Sequence, residues 1–176
     1  MIIKSFFAGF GGQGVLSMGY TLAYAGMLED KHVTYLPVYG AEVRGGTAHC
    51  TVAIGDEEIS SPLASEPEYV VVMNLPSMLK FQNQVASGGM FFLNTTLIED
   101  RPIRGDLELV EIPATALAEE IKNPRGANMI MLGAFVKKTE LVALDSIHQA
   151  LERIFAKKKK LIQVNRNALD RGFQLL

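Results

Sequence analysis

The feature that most constrains the fold is a glycine-rich segment, AGFGGQGVLSMG, which follows directly on the apolar opening MIIKSFF. Gly9, Gly11, Gly12 and Gly14 fall within six positions. Glycines at this density interrupt a continuous helix, since each costs about 1 kcal/mol relative to alanine, and they allow the backbone to turn tightly. The segment therefore predicts a strand, a tight turn and then a helix that runs from about Gln13 to residue 28.

The glycines also argue against a membrane-spanning helix in the same region. Ser5 to Leu28 contains no charged residue and is long enough to cross a bilayer. The glycines divide it, and Lys4 leads into them rather than into the unbroken apolar core of a signal peptide. The single cysteine, Cys50, excludes an internal disulfide and is consistent with a reducing compartment. We therefore expect a soluble, cytoplasmic protein.

Strand patterns alternate with helix patterns along the chain. Strands are predicted over IIKSFFAG, HVTYLP, TAHCTVAIG, EYVVVMN, GGMFFLN and LELVEIP, the last at a sheet edge or half exposed. HVTYLP is expected to end at Pro37, and DEE is expected to turn TAHCTVAIG into a short hairpin ending near Ile59. On the first helix, glycines 19 and 26 share one face and would permit close packing on a sheet. The alternation predicts a three-layer α/β/α fold with a mixed, mainly parallel sheet and a Rossmann-like first βαβ unit.

The later part of the chain is helical in pattern. Helices are predicted over TALAEEIK, ANMIMLGAFVKK, LDSIHQALERIFA and LIQVNRNALDRGF, the third of them with Asp145 as its N-cap. Apolar side chains on these helices fit either the core or a partner interface, and the sequence leaves both open for Met129, Met131 and Leu132. No linker or repeat divides the chain, so residues 1–176 are expected to form a single domain.

Charge and cysteine content exclude several functions. A net charge of −2 argues against nucleic-acid binding, which requires a basic surface, and the run Lys157–Lys160 is typical of a solvated helix end or loop. One cysteine cannot form a four-thiolate zinc or iron–sulfur site, so no metal site is expected in this chain. Alternation along a strand places His49 and Cys50 on opposite faces, and Cys50 is expected to be a buried structural thiol.

The glycine turn satisfies G-x-G-x-x-G through Gly9, Gly11 and Gly14, between a strand and a helix. That geometry lets backbone amides approach a diphosphate. A dinucleotide-binding site also needs an acidic residue at the end of the second strand, where this sequence has Leu36, Pro37 and Val38. No G-K-[ST] follows the glycines, so a P-loop is excluded as well.

Two further clusters carry candidate binding residues. In YGAEVRGGTAHC, Gly40, Gly45 and Gly46 flank Glu42 and Arg44, which either pair with each other or face a ligand or partner.

The other cluster is NPRGANMIMLGA, in which Pro124 and Arg125 open a helix that carries Asn128 and Gly133. An arginine in the first turn opposes the helix dipole. We therefore expect a carboxylate or phosphate outside that helix to hold Arg125.

Together, GFGGQGV, YGAEVRGGTAHCTV and NPRGANMIMLGA resemble the gamma subunit of the 2-oxoacid:ferredoxin oxidoreductases, in order and over essentially the whole chain. Members of this family use thiamine diphosphate to decarboxylate a 2-oxoacid oxidatively to its acyl-CoA and pass electrons through iron–sulfur clusters to ferredoxin. The resemblance implies alpha, beta and ferredoxin-like delta partner subunits, with ferredoxin as the electron acceptor.

The resemblance also implies how the work is divided. Thiamine diphosphate, Mg²⁺ and the clusters would belong to partner subunits, CoA would be the co-substrate, and this chain alone would be inactive with no catalytic residue. The implied cofactor-binding positions are Gly9, Gly11, Gly12, Gln13 and Gly14. The implied loop positions facing a partner or the shared active site are Tyr39, Gly40, Glu42, Arg44, Gly45, Gly46, Arg125 and Asn128.

The form EVRGGTAHC resembles the 2-oxoglutarate or branched-chain 2-oxoacid type more than the pyruvate type, and 2-oxoglutarate is the first choice. Two other hypotheses remain. One is a free-standing α/β enzyme that binds a nucleotide or CoA at residues 9–14, and the other is a scaffold whose glycines serve packing alone.

Overall fold

A computed structural model of the chain describes residues 1–40 and 46–176. The strands are β1 (Ile2–Phe10), β2 (His32–Tyr39), β3 (Thr47–Gly55), β4 (Tyr69–Val72), β5 (Met90–Asn94) and β6 (Glu108–Ile112). The helices are α1 (Val15–Leu28), α2 (Leu75–Phe81), α3 (Ala114–Glu120), α4 (Ala127–Thr139), α5 (Leu144–Ile154) and α6 (Lys159–Phe173), with a 3₁₀ turn at Pro124–Gly126. The predicted order of strands and helices is confirmed, although α1 begins two residues later than expected.

The six strands form one mixed sheet in the order β2-β3-β1-β4-β5-β6. β1, β4, β5 and β6 are parallel to one another, whereas β3 is antiparallel to both β1 and β2. The predicted mixed, mainly parallel sheet is therefore confirmed, with β6 at an edge. β1, α1 and β2 form the first βαβ unit, and β3 lies between its two strands.

Two boundaries predicted near β3 are wrong. β2 continues through Pro37 to Tyr39, because β2 is an edge strand and a proline there can leave its missing N–H on the solvent side. No strand follows DEE, since residues 56–68 contain no strand or helix and β3 already pairs with β1 and β2. The antiparallel ribbon therefore precedes DEE rather than following it.

Side chains of the central strands alternate between two separate cores. α2 covers one face, while α1, α3 and α4 pack on the other, with α5 against α1 and α6 against α4. Neighbouring residues of the buried strands therefore enter opposite layers, as in the pairs Phe6 and Phe7, Val70 and Val71, and Phe91 and Phe92. This arrangement is the predicted three-layer α/β/α architecture.

Glycines bring α1 close to the sheet, as the sequence predicted. A Cβ on Gly19 would overlap the Sγ of Cys50, and a Cβ on Gly26 would lie 3.0 Å from side-chain carbons of Ile54 and Val33. α1 therefore lies directly on the antiparallel ribbon.

A second close approach joins α4 to α6. Gly133 faces the backbone of Leu169, and Gly172 faces the backbone of Ile130. A Cβ on either glycine would overlap the opposing carbonyl oxygen, so the two helices meet backbone to backbone.

The late helices resolve two questions that the sequence raised. Their apolar side chains belong to the core, since all three residues in question are at most 1% exposed: Met129, Met131 and Leu132. Asp145 is not the N-cap of α5, because the helix begins at Leu144 after Ala143. The backbone N–H of Ala143 donates to Glu29 Oε1 at 2.6 Å, and this contact holds the N-cap at Ala143, two residues before Asp145.

The surface of the helical part agrees with the charge pattern. Lys157–Lys160 are all exposed at the start of α6, as predicted for a solvated helix end. Among the described residues, no helix combines the length and apolar character needed to cross a bilayer.

Candidate functional site

The glycine loop, defined as residues 9–14, lies at the carboxyl end of β1 and leads into α1. Gly12 and Gly14 have φ values of +97° and +74°, a region that side chains with a Cβ rarely occupy. Their backbone N–H groups donate to no other described residue, and no side chain caps the first turn of α1. The loop therefore presents amide donors that bond to no described residue, together with the positive end of a helix dipole, at the edge where ligands of parallel sheets bind.

Contacts to the glycine loop bring the three sequence motifs together. The N–H of Gly11 donates to the carbonyl of Gly46 at 3.1 Å, which connects the loop to the second motif. The Nδ2 of Asn128 donates to the carbonyl of Gly14 at 3.2 Å, which connects it to the third. Asn128 is 8% exposed, and its Oδ1 accepts from the N–H of Met129 at 2.9 Å. Segments far apart in the sequence thus form one constellation.

Gln13 points into the protein rather than out of the loop. Its Oε1 accepts from the N–H of Phe10 at 2.7 Å and from Asn74 Nδ2 at 2.9 Å, while its Nε2 lies 3.4 Å from the carbonyl of Met73. These bonds hold the loop against the end of β4. The side chain of Gln13 therefore braces the turn, and any contact to a ligand would come from the backbone of its neighbours.

Two buried asparagines that the sequence reasoning missed complete this brace. Asn74 caps α2 by accepting from the N–H of Ser77 at 2.9 Å. Asn94 donates to the carbonyl of Met73 at 3.2 Å and to Thr115 Oγ1 at 3.0 Å. The available signal was an asparagine directly after each buried run, in VVVMN and MFFLN, because the carboxyl ends of parallel strands meet at one edge.

A small cavity opens beside the glycine loop. Its volume is about 260 Å³, and Gly11, Gly12, Gly14 and Tyr39 contribute to its walls. Tyr39 is 75% exposed at its rim. Complete small-molecule sites typically enclose about 300–1,000 Å³, so this cavity accommodates a fragment of a cofactor.

Some predicted site residues lie elsewhere or outside the described residues. Gly40 follows β2, and a Cβ there would lie 2.8 Å from the carbonyl oxygen of Thr47. Arg125 is exposed in the 3₁₀ turn and forms no ion pair with residues 1–40 or 46–176, so its anionic partner stays a prediction. The predictions for Glu42, Arg44 and Gly45 fall outside the described residues.

The described residues do not fit a metal or an iron–sulfur cluster. Cys50 is 0% exposed, and its Sγ lies 3.5 Å from the carbonyl oxygen of Val15 as a weak donor. Burial raises the pKa of this thiol to about 12, and the bond involving Gly19 offsets this only in part. Within residues 1–40 and 46–176, no group of three His, Cys, Asp or Glu side chains could hold a metal ion. Cys50 is therefore the buried structural thiol that the sequence predicted.

We expect Cys50 to be unreactive in the folded chain. A thiol with a pKa of about 12 stays protonated at pH 8, and the thiolate is the reactive form. Treatment with a chromogenic disulfide reagent at pH 8 should label none of the native protein while the urea-unfolded protein is labelled completely. Rapid labelling of the native chain would contradict the burial of this side chain.

The sequence matches the family model described as pyruvate ferredoxin/flavodoxin oxidoreductase over residues 4–175. The chain belongs to this family. The match includes the glycine loop and both further motifs, and it confirms the resemblance that they predicted.

Two curated members of the pyruvate ferredoxin/flavodoxin oxidoreductase family are similar over nearly the whole chain. The ketoisovalerate oxidoreductase subunit VorA of Methanothermobacter thermautotrophicus is 40% identical over 167 residues, which cover 94% of this chain and 34% of VorA. The 2-oxoglutarate synthase subunit KorC of Methanocaldococcus jannaschii is 32% identical over 171 residues, which cover 96% of this chain and 90% of KorC. The chain thus spans about a third of the length of VorA.

Two solved structures of such oxidoreductases share the fold. The pyruvate oxidoreductase subunit PORC of Thermotoga maritima is 29% identical, with a TM-score of 0.79 over 98% of this chain and 96% of that chain. A 2-oxoglutarate:ferredoxin oxidoreductase of Magnetococcus marinus is 24% identical, with a TM-score of 0.91 over 99% of this chain and 31% of that chain. The mixed α/β sheet is therefore common to this chain and these family structures.

Proposed function

We propose that the chain is the gamma subunit of a thiamine-diphosphate-dependent 2-oxoacid:ferredoxin oxidoreductase, which converts a 2-oxoacid to its acyl-CoA. The observation that carries the proposal is the constellation at the glycine loop, where Gly11 bonds to Gly46 and Asn128 bonds to Gly14. These are the three motifs on which the resemblance rests. Membership of the family and the names of its relatives support the same role.

We assign thiamine diphosphate, Mg²⁺ and the clusters to partner subunits. Cluster ligation uses thiolates, and Cys50 is buried and protonated. The sequence contains no G-D-G…N segment suited to the metal and diphosphate of thiamine. The partners are the alpha, beta and ferredoxin-like delta subunits, and ferredoxin accepts the electrons.

The glycine loop fits the diphosphate segment of CoA. The N–H groups of Gly12 and Gly14 and the first turn of α1 would hold the diphosphate, because backbone amides at a helix N-terminus attract anions. When bound, CoA supplies the thiol that accepts the acyl group. The cavity of about 260 Å³ holds a fragment only, so a neighbouring subunit would cover the rest. The Magnetococcus marinus enzyme was solved with CoA and succinyl-CoA bound, which supports this class of ligand.

Two 2-oxoacids are candidate substrates. The second motif favours 2-oxoglutarate first, and KorC supports that choice. The higher identity to VorA, 40% against 32%, favours the branched-chain ketoisovalerate. Both acids therefore belong in the assay.

The test is reconstitution of the complex from this chain and the thiamine-binding and cluster-binding subunits of the same organism. We expect 2-oxoacid-dependent and CoA-dependent reduction of ferredoxin by the complex, with none from the isolated chain. Loss of activity when this chain is omitted, and its return on addition, would establish the subunit role.

The same assay separates the other hypotheses. Turnover by the isolated chain, or tight NAD(H) binding to it, would establish a free-standing enzyme and overturn the proposal. An unchanged rate and CoA KM in a complex carrying Gly12→Ala would favour a scaffold over a cofactor-binding loop. The small cavity and the missing acidic residue at the end of β2 already disfavour a free-standing dinucleotide enzyme.

A further inference from the structure

The face of the sheet that carries α2 is only partly covered. α2 packs on β1 and β4, whereas the helix that packs on β2 and β3 is α1, on the opposite face. Leu36 and Val38 of β2 and His49 and Thr51 of β3 therefore line an open groove. Leu63 and Lys80 lie on its walls, and its volume is about 610 Å³. We call this feature the β2–β3 groove.

The dimensions of the β2–β3 groove suit one helix. Neighbouring strands lie about 4.8 Å apart, so the strip from β2 across β3 to β1 is about 10 Å wide. An α-helix with its side chains is about 10–12 Å across. Phe6 of β1 is 5% exposed and Thr51 of β3 is 6% exposed, whereas Val38 of β2 is 38% exposed, so the groove is open mainly along β2, where one helix could lie.

The side chains that line the β2–β3 groove are largely apolar and include one cation, Lys80. Leu63 is 65% exposed and Val38 is 38% exposed, so apolar side chains rim the groove in contact with water. His49 stacks on Phe6 with ring centroids 5.0 Å apart, and its buried Nδ1 has no hydrogen-bond partner among the described residues. Burial, and then the charge of Lys80, lower the pKa of His49 and so favour the neutral ring.

Lys80 is the charged side chain among the described residues that line the groove. Its Nζ lies 5.2 Å from the ring centroid of Phe81 and pairs with no carboxylate of residues 1–40 or 46–176. A carboxylate that approached it beside the apolar wall would be partly desolvated, where opposite charges attract more strongly than on an open surface.

We propose that the β2–β3 groove receives one amphipathic helix of another subunit of the same complex, with aliphatic side chains on β2 and β3 and a carboxylate at Lys80. The inference rests on the proposed function, which requires partner subunits, and names a surface separate from the glycine loop. The length of VorA supports a close neighbour at this surface, because about two thirds of the VorA polypeptide lies outside the region similar to this chain.

The experiment measures assembly of the complete complex from co-expressed subunits, with an affinity tag on this chain. Val38→Glu and Lys80→Glu should each lower the recovery of the other subunits at least about tenfold, as loss of an interface hot spot does. Two controls match them closely. Val164 is also 38% exposed, and Lys137 also lies 5.2 Å from a phenylalanine ring centroid, that of Phe173. Val164→Glu and Lys137→Glu should assemble like the wild type.

Two further readouts, thermal melting and amide hydrogen exchange, make the result decisive. The isolated variants should melt with the wild-type protein, since Val38 and Lys80 already face solvent. Assembly should slow amide hydrogen exchange in residues 34–38 and 61–66 of the wild-type chain. Normal assembly of both groove variants would overturn this inference alone. Failure of the wild-type chain to assemble would overturn the proposed function and this inference with it.

Discussion

Gly172→Ala is expected to lower the free energy of unfolding by about 2 kcal/mol or more, a drop in melting temperature of about 4–8 °C for a chain of this size. The new Cβ would overlap the carbonyl oxygen of Ile130 and lie 2.6 Å from its carbonyl carbon. Backbone cannot rotate away as a side chain can, so α6 must move off α4. Alanine gains about 1 kcal/mol of helix propensity over glycine, which offsets only part of this cost.

Gly105→Ala is the control for this prediction. An added Cβ on Gly105 would have no heavy atom within 4 Å. The free energy of unfolding of Gly105→Ala should therefore stay unchanged or rise slightly. Urea denaturation of both variants followed by circular dichroism provides the measurement. Equal midpoints for Gly172→Ala and the wild type would show that α4 and α6 do not meet backbone to backbone.

Gly14→Ala is expected to lower the CoA-dependent activity of the reconstituted complex at least about tenfold, the equivalent of about 1.4 kcal/mol in barrier height. Two effects act together. The φ of +74° strains any residue with a Cβ by about 1–2 kcal/mol, and the Cβ would overlap the amide of Asn128, whose Cγ lies 2.9 Å away. The hydrogen bond that ties α4 to the glycine loop is therefore lost, and the loop shifts.

Gly88→Ala separates strain from site geometry. Gly88 has a φ of +72°, yet nothing lies within 4 Å of an added Cβ, and it is remote in sequence from the three motifs. The two variants should show comparable backbone strain, but only Gly14→Ala should change the CoA dependence of the rate. Equal kinetics for the two would mean that the loop geometry does not matter for the reaction.

Much of the fold could be predicted because local patterns and tertiary packing agree. The runs VVVM and MFFL are apolar throughout and lie in or directly after β4 and in β5, strands that are buried on both faces. The glycines that break an otherwise apolar stretch mark the turn into α1. These elements are determined by nearby residues, so the sequence alone identifies them.

The errors arose where distant contacts decide the local structure. Pro37 is compatible with a strand only because β2 lies at an edge, and strand order is a property of the whole sheet. The start of α5 depends on Glu29, more than 100 residues away, which accepts from Ala143. A carboxylate such as Asp145 is favourable anywhere in a first turn, so its presence does not identify the N-cap.

In the candidate site, too, some features follow from nearby residues and others from distant contacts. Gly12 and Gly14 could be identified because positive φ favours glycine. The roles of Gln13, Asn74 and Asn94 could not be predicted individually, since an amide side chain suits solvent, ligand or an internal brace equally well. Only the juxtaposition of β1, β4 and β5 shows that Asn74 donates to Gln13, and that Gln13 and Asn94 both donate to the carbonyl of Met73.

The burial of the single thiol has a practical consequence for studying assembly. Because Cys50 is buried and unreactive, thiol reagents would label only the cysteines that are introduced on the surface of the chain. Nitroxide or fluorophore pairs attached on both sides of the β2–β3 groove would then report distances without background labelling. If this chain is labelled before assembly, the motion of this subunit during turnover could be followed in the complete complex without removing a native residue of this chain.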